Sequence, residues 1–121
     1  MKKILLVEDD SFILDIYASK FKQEGYSVDI AQDGQVALEK IKNNCPDLLV
    51  LDLLVPKLDG WDVLRSVRND PKTKDLKVII ISNLDQKSYP DDADKLGVIR
   101  YFLKIATTPD EIANAIREIL K

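Results

Sequence analysis

Short apolar runs alternate along the chain with longer stretches in which apolar residues recur every three or four positions. The runs are Ile4-Leu5-Leu6-Val7, Val28-Asp29-Ile30-Ala31, Leu48-Leu49-Val50-Leu51, Val78-Ile79-Ile80-Ile81 and Tyr101-Phe102-Leu103. Uniformly aliphatic runs such as Ile4–Val7, Leu48–Leu51 and Val78–Ile81 are what strands buried on both faces require. Between the runs, Ile13, Ile16, Tyr17 and Phe21, then Val36, Ala37 and Ile41, then Val63, Leu64 and Val67, and finally Ile112, Ala115, Ile116 and Ile119 keep helical spacing. Strict alternation of this kind predicts an α/β fold with five strands, five helices and a parallel sheet covered on both faces.

The ends of the helical stretches carry their own signals. Thr108-Pro109-Asp110-Glu111 combines a capping hydroxyl, a proline at the first helical position and an acid at the third, so the fifth helix starts there. Gly25 ends the first helix and Asp70-Pro71 stops the third. Asp10 and Ser11 read as the cap of the first helix, and Gln32-Asp33-Gly34 as a plain turn after the second strand. Pro90 lies inside the stretch where the fourth helix belongs and lacks the N–H that a helix interior needs. The expectation there is a long loop followed by a short helix starting near Tyr89 or Pro90.

Composition adds mainly exclusions. With 121 residues, 45% of them hydrophobic, residues 1–121 are expected to form one domain. The net charge of −3, from 18 basic and 21 acidic side chains, argues against nucleic acid as a direct partner. Acidic residues concentrate toward the front, with 11 against 7 basic through Gly60 and 10 against 11 afterwards. The absence of histidine and the single cysteine, Cys45, exclude an internal disulfide, histidine acid–base chemistry and the common Cys/His zinc sites. Cys45, before Pro46, reads as a small residue in a turn, Trp61 as a packing residue of the third helix, and Lys72, Lys74 and Lys77 as a solvated loop. The apolar run after Lys2-Lys3 is too short for a signal peptide or a membrane span, so the expected location is cytoplasmic.

Chemistry gathers where the runs stop: Val7 at Glu8-Asp9-Asp10, Leu51 at Asp52, Ile81 at Ser82 and Leu103 at Lys104. In an open parallel sheet these ends share one edge, where ligands bind at the point at which strand order reverses. Carboxylates brought together repel one another unless a cation lies among them, and an all-oxygen donor set suits magnesium. A lysine at the same edge neutralises a second anion, most naturally a phosphoryl group, and a serine hydroxyl donates to it. With no histidine, cysteine or activated-serine constellation available, a carboxylate that becomes an aspartyl phosphate fits the set best.

Leu6-Val7-Glu8-Asp9-Asp10, Leu51-Asp52-Leu53-Leu54-Val55-Pro56-Lys57-Leu58-Asp59-Gly60, Ile80-Ile81-Ser82 and Tyr101-Phe102-Leu103-Lys104 together resemble, in order and spacing, the signature segments of response-regulator receiver domains. The resemblance implies a flavodoxin-like, doubly wound (βα)5 fold with strand order 2-1-3-4-5. It implies that Asp52 accepts a phosphoryl group from a phosphohistidine of a partner kinase or phosphotransfer protein. Asp9, Asp52 and the backbone carbonyl of Leu54 would hold Mg2+, with Glu8 acting through a bound water. Lys104 would pair with the phosphoryl group, Ser82 would move toward it, and Tyr101 would turn inward. The surface of the fourth helix, fifth strand and fifth helix would then change its affinity for a downstream protein. Such a domain is a switch and not a turnover enzyme.

Two positions depart from that pattern. Receivers usually carry proline after the lysine, where this chain has Ile105, and a small residue after the switch hydroxyl, where it has Asn83. A cis peptide before Ile105 would cost about 3–4 kcal/mol, so a trans Lys104–Ile105 bond and an altered loop are expected. Asn83 enlarges the side chain at the mouth of the site and is expected to slow phosphodonor access. Leu54 and Leu84 flank the approach of water and cannot orient it, which predicts slow self-dephosphorylation. Two other readings stay open: a receiver-like interaction module that works without phosphorylation, and a magnesium-dependent phosphohydrolase using an aspartyl phosphate, although Leu54 stands where such hydrolases carry a second acid.

Overall fold

A computed structural model describes residues 1–121. Strands β1 (Lys3–Val7), β2 (Ser27–Ala31), β3 (Leu48–Leu51), β4 (Lys77–Ser82) and β5 (Arg100–Leu103) alternate with helices α1 (Ser11–Gln23), α2 (Gly34–Asn43), α3 (Gly60–Asn69) and α4 (Pro109–Leu120). The strands form one parallel sheet in the order β2-β1-β3-β4-β5. β3 and the apolar part of β1 and β4 are buried, while the edge strands β2 and β5 expose most of their residues, which explains why Val28–Ala31 tolerates Asp29.

Successive strand residues point to opposite faces, so one run feeds two cores. Leu5, Val7, Leu49 and Leu51 pack with Ala37, Ile41, Val63 and Leu64 of α2 and α3. Ile4, Leu6, Leu48 and Val50 pack with Leu14, Phe21, Ile112 and Ile116 of α1 and α4. The Thr108 capping box forms as expected: Thr108 Oγ1 accepts from Glu111 N–H and Glu111 Oε1 accepts from Thr108 N–H. Asp10 caps α1, its Oδ1 accepting from Phe12 and Ile13 N–H. No helix is long and apolar enough to cross a membrane.

The fourth helix does not form as an α-helix. Only two 3₁₀ turns, Gln86–Ser88 and Ala93–Leu96, occupy its place, so the expected short helix from Tyr89 or Pro90 and the count of five helices are both corrected. Tyr89, preceding proline, is extended (φ −69°, ψ 141°), and Gly97 ends the second turn in the left-handed region (φ 65°). Too few residues remain between these two stops to repay helix nucleation. The segment is held instead from α3. Arg65 binds Asp92 through two hydrogen bonds of 2.9 and 3.0 Å, and Arg68 donates to the carbonyls of Lys74, Leu76, Leu96 and Gly97.

Gly34 is also more than a turn residue. It is the first residue of α2, and its N–H donates to Pro56 O at 3.2 Å, fastening α2 to the loop that follows β3. Trp61 is 7% exposed and packs edge-on to Tyr89, as its place in α3 predicts. Cys45 is exposed between α2 and β3, and Lys72 and Lys74 are exposed in the loop before β4 as expected, whereas Lys77 is exposed but opens β4 itself.

Candidate functional site

β1 pairs with β2 on one side and β3 on the other, so the winding reverses at β1 and leaves a crevice beyond the strand ends. Glu8 and Asp9 follow β1, Asp52 follows β3, Ser82 ends β4 and Lys104 follows β5. Backbone bonds place the first of these: Glu8 N–H donates to Ala31 O, and Asp52 N–H to Val7 O, each at 3.0 Å. The β3–α3 loop folds back through Gly60 N–H, which donates to Leu53 O at 3.0 Å, and turns at Lys57 with φ 69°.

The expected residues meet. Glu8, Asp9 and Asp52 each offer a carboxylate oxygen, and these oxygens lie within 4.8 Å of one another. Glu8 and Asp52 are buried and Asp9 is exposed. The Lys104 ammonium lies between the buried pair, 2.5 Å from Glu8 Oε1 and 2.6 Å from Asp52 Oδ2. Asp52 Oδ1 accepts from Leu54 N–H at 3.1 Å, and Glu8 Oε2 from Asp10 N–H at 3.1 Å. Burial pushes the Glu8 carboxyl above its ordinary pKa, against the pull of its bonds to Lys104 and Asp10. For Lys104, burial works against the charge, but hydrogen bonds to Asp52 and Glu8 outweigh it and hold the ammonium above its usual value. The lysine therefore stays protonated as the counter-ion of the pair.

Of the remaining expected residues, Ser82, Asn83, Leu84 and Tyr101 line one groove. Ser82 is buried, its Oγ accepting from Leu84 N–H at 3.3 Å. Leu84 is half-buried against the core, whereas Leu54 is exposed. Tyr101 is exposed and lies 5.3 Å, centroid to centroid, from Tyr89, which in turn contacts Trp61 at 5.0 Å. No peptide bond is cis, so the Lys104–Ile105 bond is trans as expected, and Lys104–Ala106 forms a 3₁₀ turn. Sequence reasoning overlooked two contacts. Glu8 was expected only as a metal partner acting through water, yet it is a direct partner of Lys104. Asn83 Oδ1 accepts from Ile105 N–H at 2.9 Å, a bond for which the paired departures at 83 and 105 were the available signal.

Comparison with known proteins agrees with this geometry. The family profile for the response regulator receiver domain matches residues 4–117, and the chain belongs to that family. It is 35% identical over 120 residues, 99% of its length, to the probable transcriptional regulator ycf27 of Porphyridium aerugineum, covering 48% of that protein. It is 32% identical over 120 residues to the alkaline phosphatase synthesis transcriptional regulatory protein PhoP of Bacillus subtilis, covering 49% of it. The chain thus spans about half the length of these curated relatives. Among solved structures, a CheY-like response regulator receiver domain protein from Methanospirillum hungatei superposes with a TM-score of 0.90 at 28% identity, over 99% of this chain and 94% of that one. Receiver domains belong to two-component response regulators and act in signalling rather than as turnover enzymes.

Proposed function

We propose that this chain is a phosphorylation-dependent switch in which Asp52 is the acceptor. The observation that carries the reading is the Lys104 ammonium lodged between buried Glu8 and Asp52, with Asp9 alongside. An Asp52 carboxylate oxygen attacks the phosphorus of a phosphohistidine on a kinase or phosphotransfer protein. The new P–O bond forms as the P–N bond breaks, and the imidazole nitrogen keeps the electron pair and takes up a proton. Lys104, already in hydrogen-bond contact with Asp52, neutralises the charge of the incoming group. The three carboxylates suit a hard divalent cation: Asp9, Asp52 and the Leu54 carbonyl would hold Mg2+, with Glu8 acting through water, and the bound ion would supply further neutralisation of phosphoryl charge.

Ser82 Oγ, at the end of β4, is the hydroxyl to follow the phosphoryl group, and Tyr101 the side chain to turn inward as it does so. The responding surface is then made of the 3₁₀ segment, β5 and α4, in place of a complete fourth helix. This is the face we assign to a downstream protein, with a cytoplasmic location and no direct contact to nucleic acid. Exposed Leu54 leaves no acid two residues past Asp52, which disfavours the phosphohydrolase reading.

Incubation with acetyl phosphate and Mg2+ tests the proposal by intact mass. The wild type is expected to gain one phosphoryl group and Asp52→Asn none; an unmodified wild type overturns the reading. The decay of that adduct tests the two leucines. Leu54→Asn and Leu84→Glu are expected to shorten the phosphorylated lifetime, because each gives water a hydrogen-bonding partner near Asp52. A longer lifetime in either variant would contradict that explanation.

A further inference from the structure

Lys104 begins a loop that little else holds. Thr107 Oγ1 donates to Leu103 O at 2.8 Å and Thr107 N–H to Lys104 O at 3.4 Å, bonds that tie the loop only to itself. Ile105 is 81% exposed, so its side chain anchors nothing. What reaches across to the neighbouring strand end is the 2.9 Å bond from Ile105 N–H to Asn83 Oδ1. That bond requires both departures at once, since proline at 105 would offer no N–H and a small residue at 83 no acceptor. Asn83 and Ile105 also line two openings in common. One is a pocket of about 280 Å³ that includes Ile13 and Tyr17, the other a groove of about 600 Å³ that includes Leu84 and Tyr101.

We infer that Asn83 is a positioning residue, whose carboxamide clasps the Ile105 N–H and thereby holds the Lys104 ammonium between Glu8 and Asp52. The consequence for phosphorylation rests on the reading of Lys104 as the counter-ion of the transferred group. Lysine is a point charge on a flexible stem, so its placement depends on the backbone that carries it. With the clasp gone, the loop is free to pivot beyond Leu103 and the ammonium loses its fixed position. In place of the proline that receivers usually carry there, the chain uses a side-chain bond from the residue after β4.

The wild type, Asn83→Ala, Ile105→Pro and the double variant test this. Labelling of Asp52 by acetyl phosphate with Mg2+ is expected to be about tenfold slower in Asn83→Ala than in the wild type, the scale of a modest misplacement of a catalytic group and the opposite of the faster labelling that relief of crowding at position 83 would give. In an Ile105→Pro background, where the donor is already missing, Asn83→Ala is expected to change nothing further. A second readout needs no phosphorylation. In a nitrogen-edited spectrum of the lysine side chains, the Lys104 ammonium is expected to exchange slowly and be visible in the wild type, and to vanish in Asn83→Ala. Labelling of Asn83→Ala at the wild-type rate, or equal slowing in both backgrounds, overturns the inference. If the wild type takes up no phosphoryl group, the reading of Asp52 falls and the clasp is decided by the ammonium signal. Its loss in Asn83→Ala supports the clasp, whereas its persistence there or its absence from the wild type overturns it.

Discussion

Lys104→Met will lower the stability of the metal-free protein by about 3 kcal/mol, the cost of breaking a buried ion pair by removing one partner. The reason lies in what the substitution leaves behind. Glu8 and Asp52 are 2% and 5% exposed, and Lys104 reaches both at 2.5 and 2.6 Å. Methionine keeps an unbranched apolar stem of similar length, so the change separates the loss of charge from the loss of packing. Without the ammonium, two buried carboxylates face each other with Asp9 nearby and no opposite charge among them. Urea unfolding measures the difference. Added Mg2+ is expected to recover more stability in Lys104→Met than it adds to the wild type, where the ammonium already neutralises Glu8 and Asp52. Equal midpoints for the two metal-free proteins would show that Lys104 does not hold the pair.

A second large effect is expected far from any charge. Gly34→Ala will destabilise the fold by about 3 kcal/mol, the upper range for overpacking a tight contact. A Cβ at Gly34 would stand 1.9 Å from Leu58 O and 2.7 Å from Leu58 C, and both are backbone atoms that no rotamer change can move. Either the start of α2 or the loop after β3 must shift, and that loop runs directly from Asp52 and Leu54. Gly25→Ala is the comparison: its φ of +95° is strained for alanine, but nothing lies within 4 Å of the added carbon. The expected cost there is about 1 kcal/mol, set by backbone conformation alone. Similar losses at the two glycines would mean that the Leu58 contact relaxes freely.

Strands, sheet order and the meeting of Glu8, Asp9, Asp52 and Lys104 were legible because each rests on a local pattern. A buried strand must be apolar, and its first polar residue marks the edge where the site is built. The fourth helix was less legible. Pro90 announced an interruption, but whether a helix resumes after it depends on Arg65 and Arg68, which stand in α3 and capture Asp92 and the carbonyls of Leu96 and Gly97 at long range. No periodicity within residues 85–97 encodes that. Gly34 was misread for a similar reason, since the backbone it touches belongs to a loop more than twenty residues away. The pairing of Glu8 with Lys104 was hidden because a sequence shows that both reach one edge, not which of several neighbours a flexible ammonium selects.

The row of rings running from Trp61 through Tyr89 to Tyr101 has a practical consequence. Trp61 is the only tryptophan in the chain, and Tyr89 touches it on one side and Tyr101 on the other. The protein therefore carries a native fluorophore wired to the side chain expected to move. Rotation of Tyr101 away from Tyr89 would remove the tilted partner of the ring that lies edge-on to the indole, and so change the indole's surroundings. Its emission, recorded on unlabelled protein in a stopped-flow mixer, gives the time course of the rearrangement separately from the chemistry at Asp52.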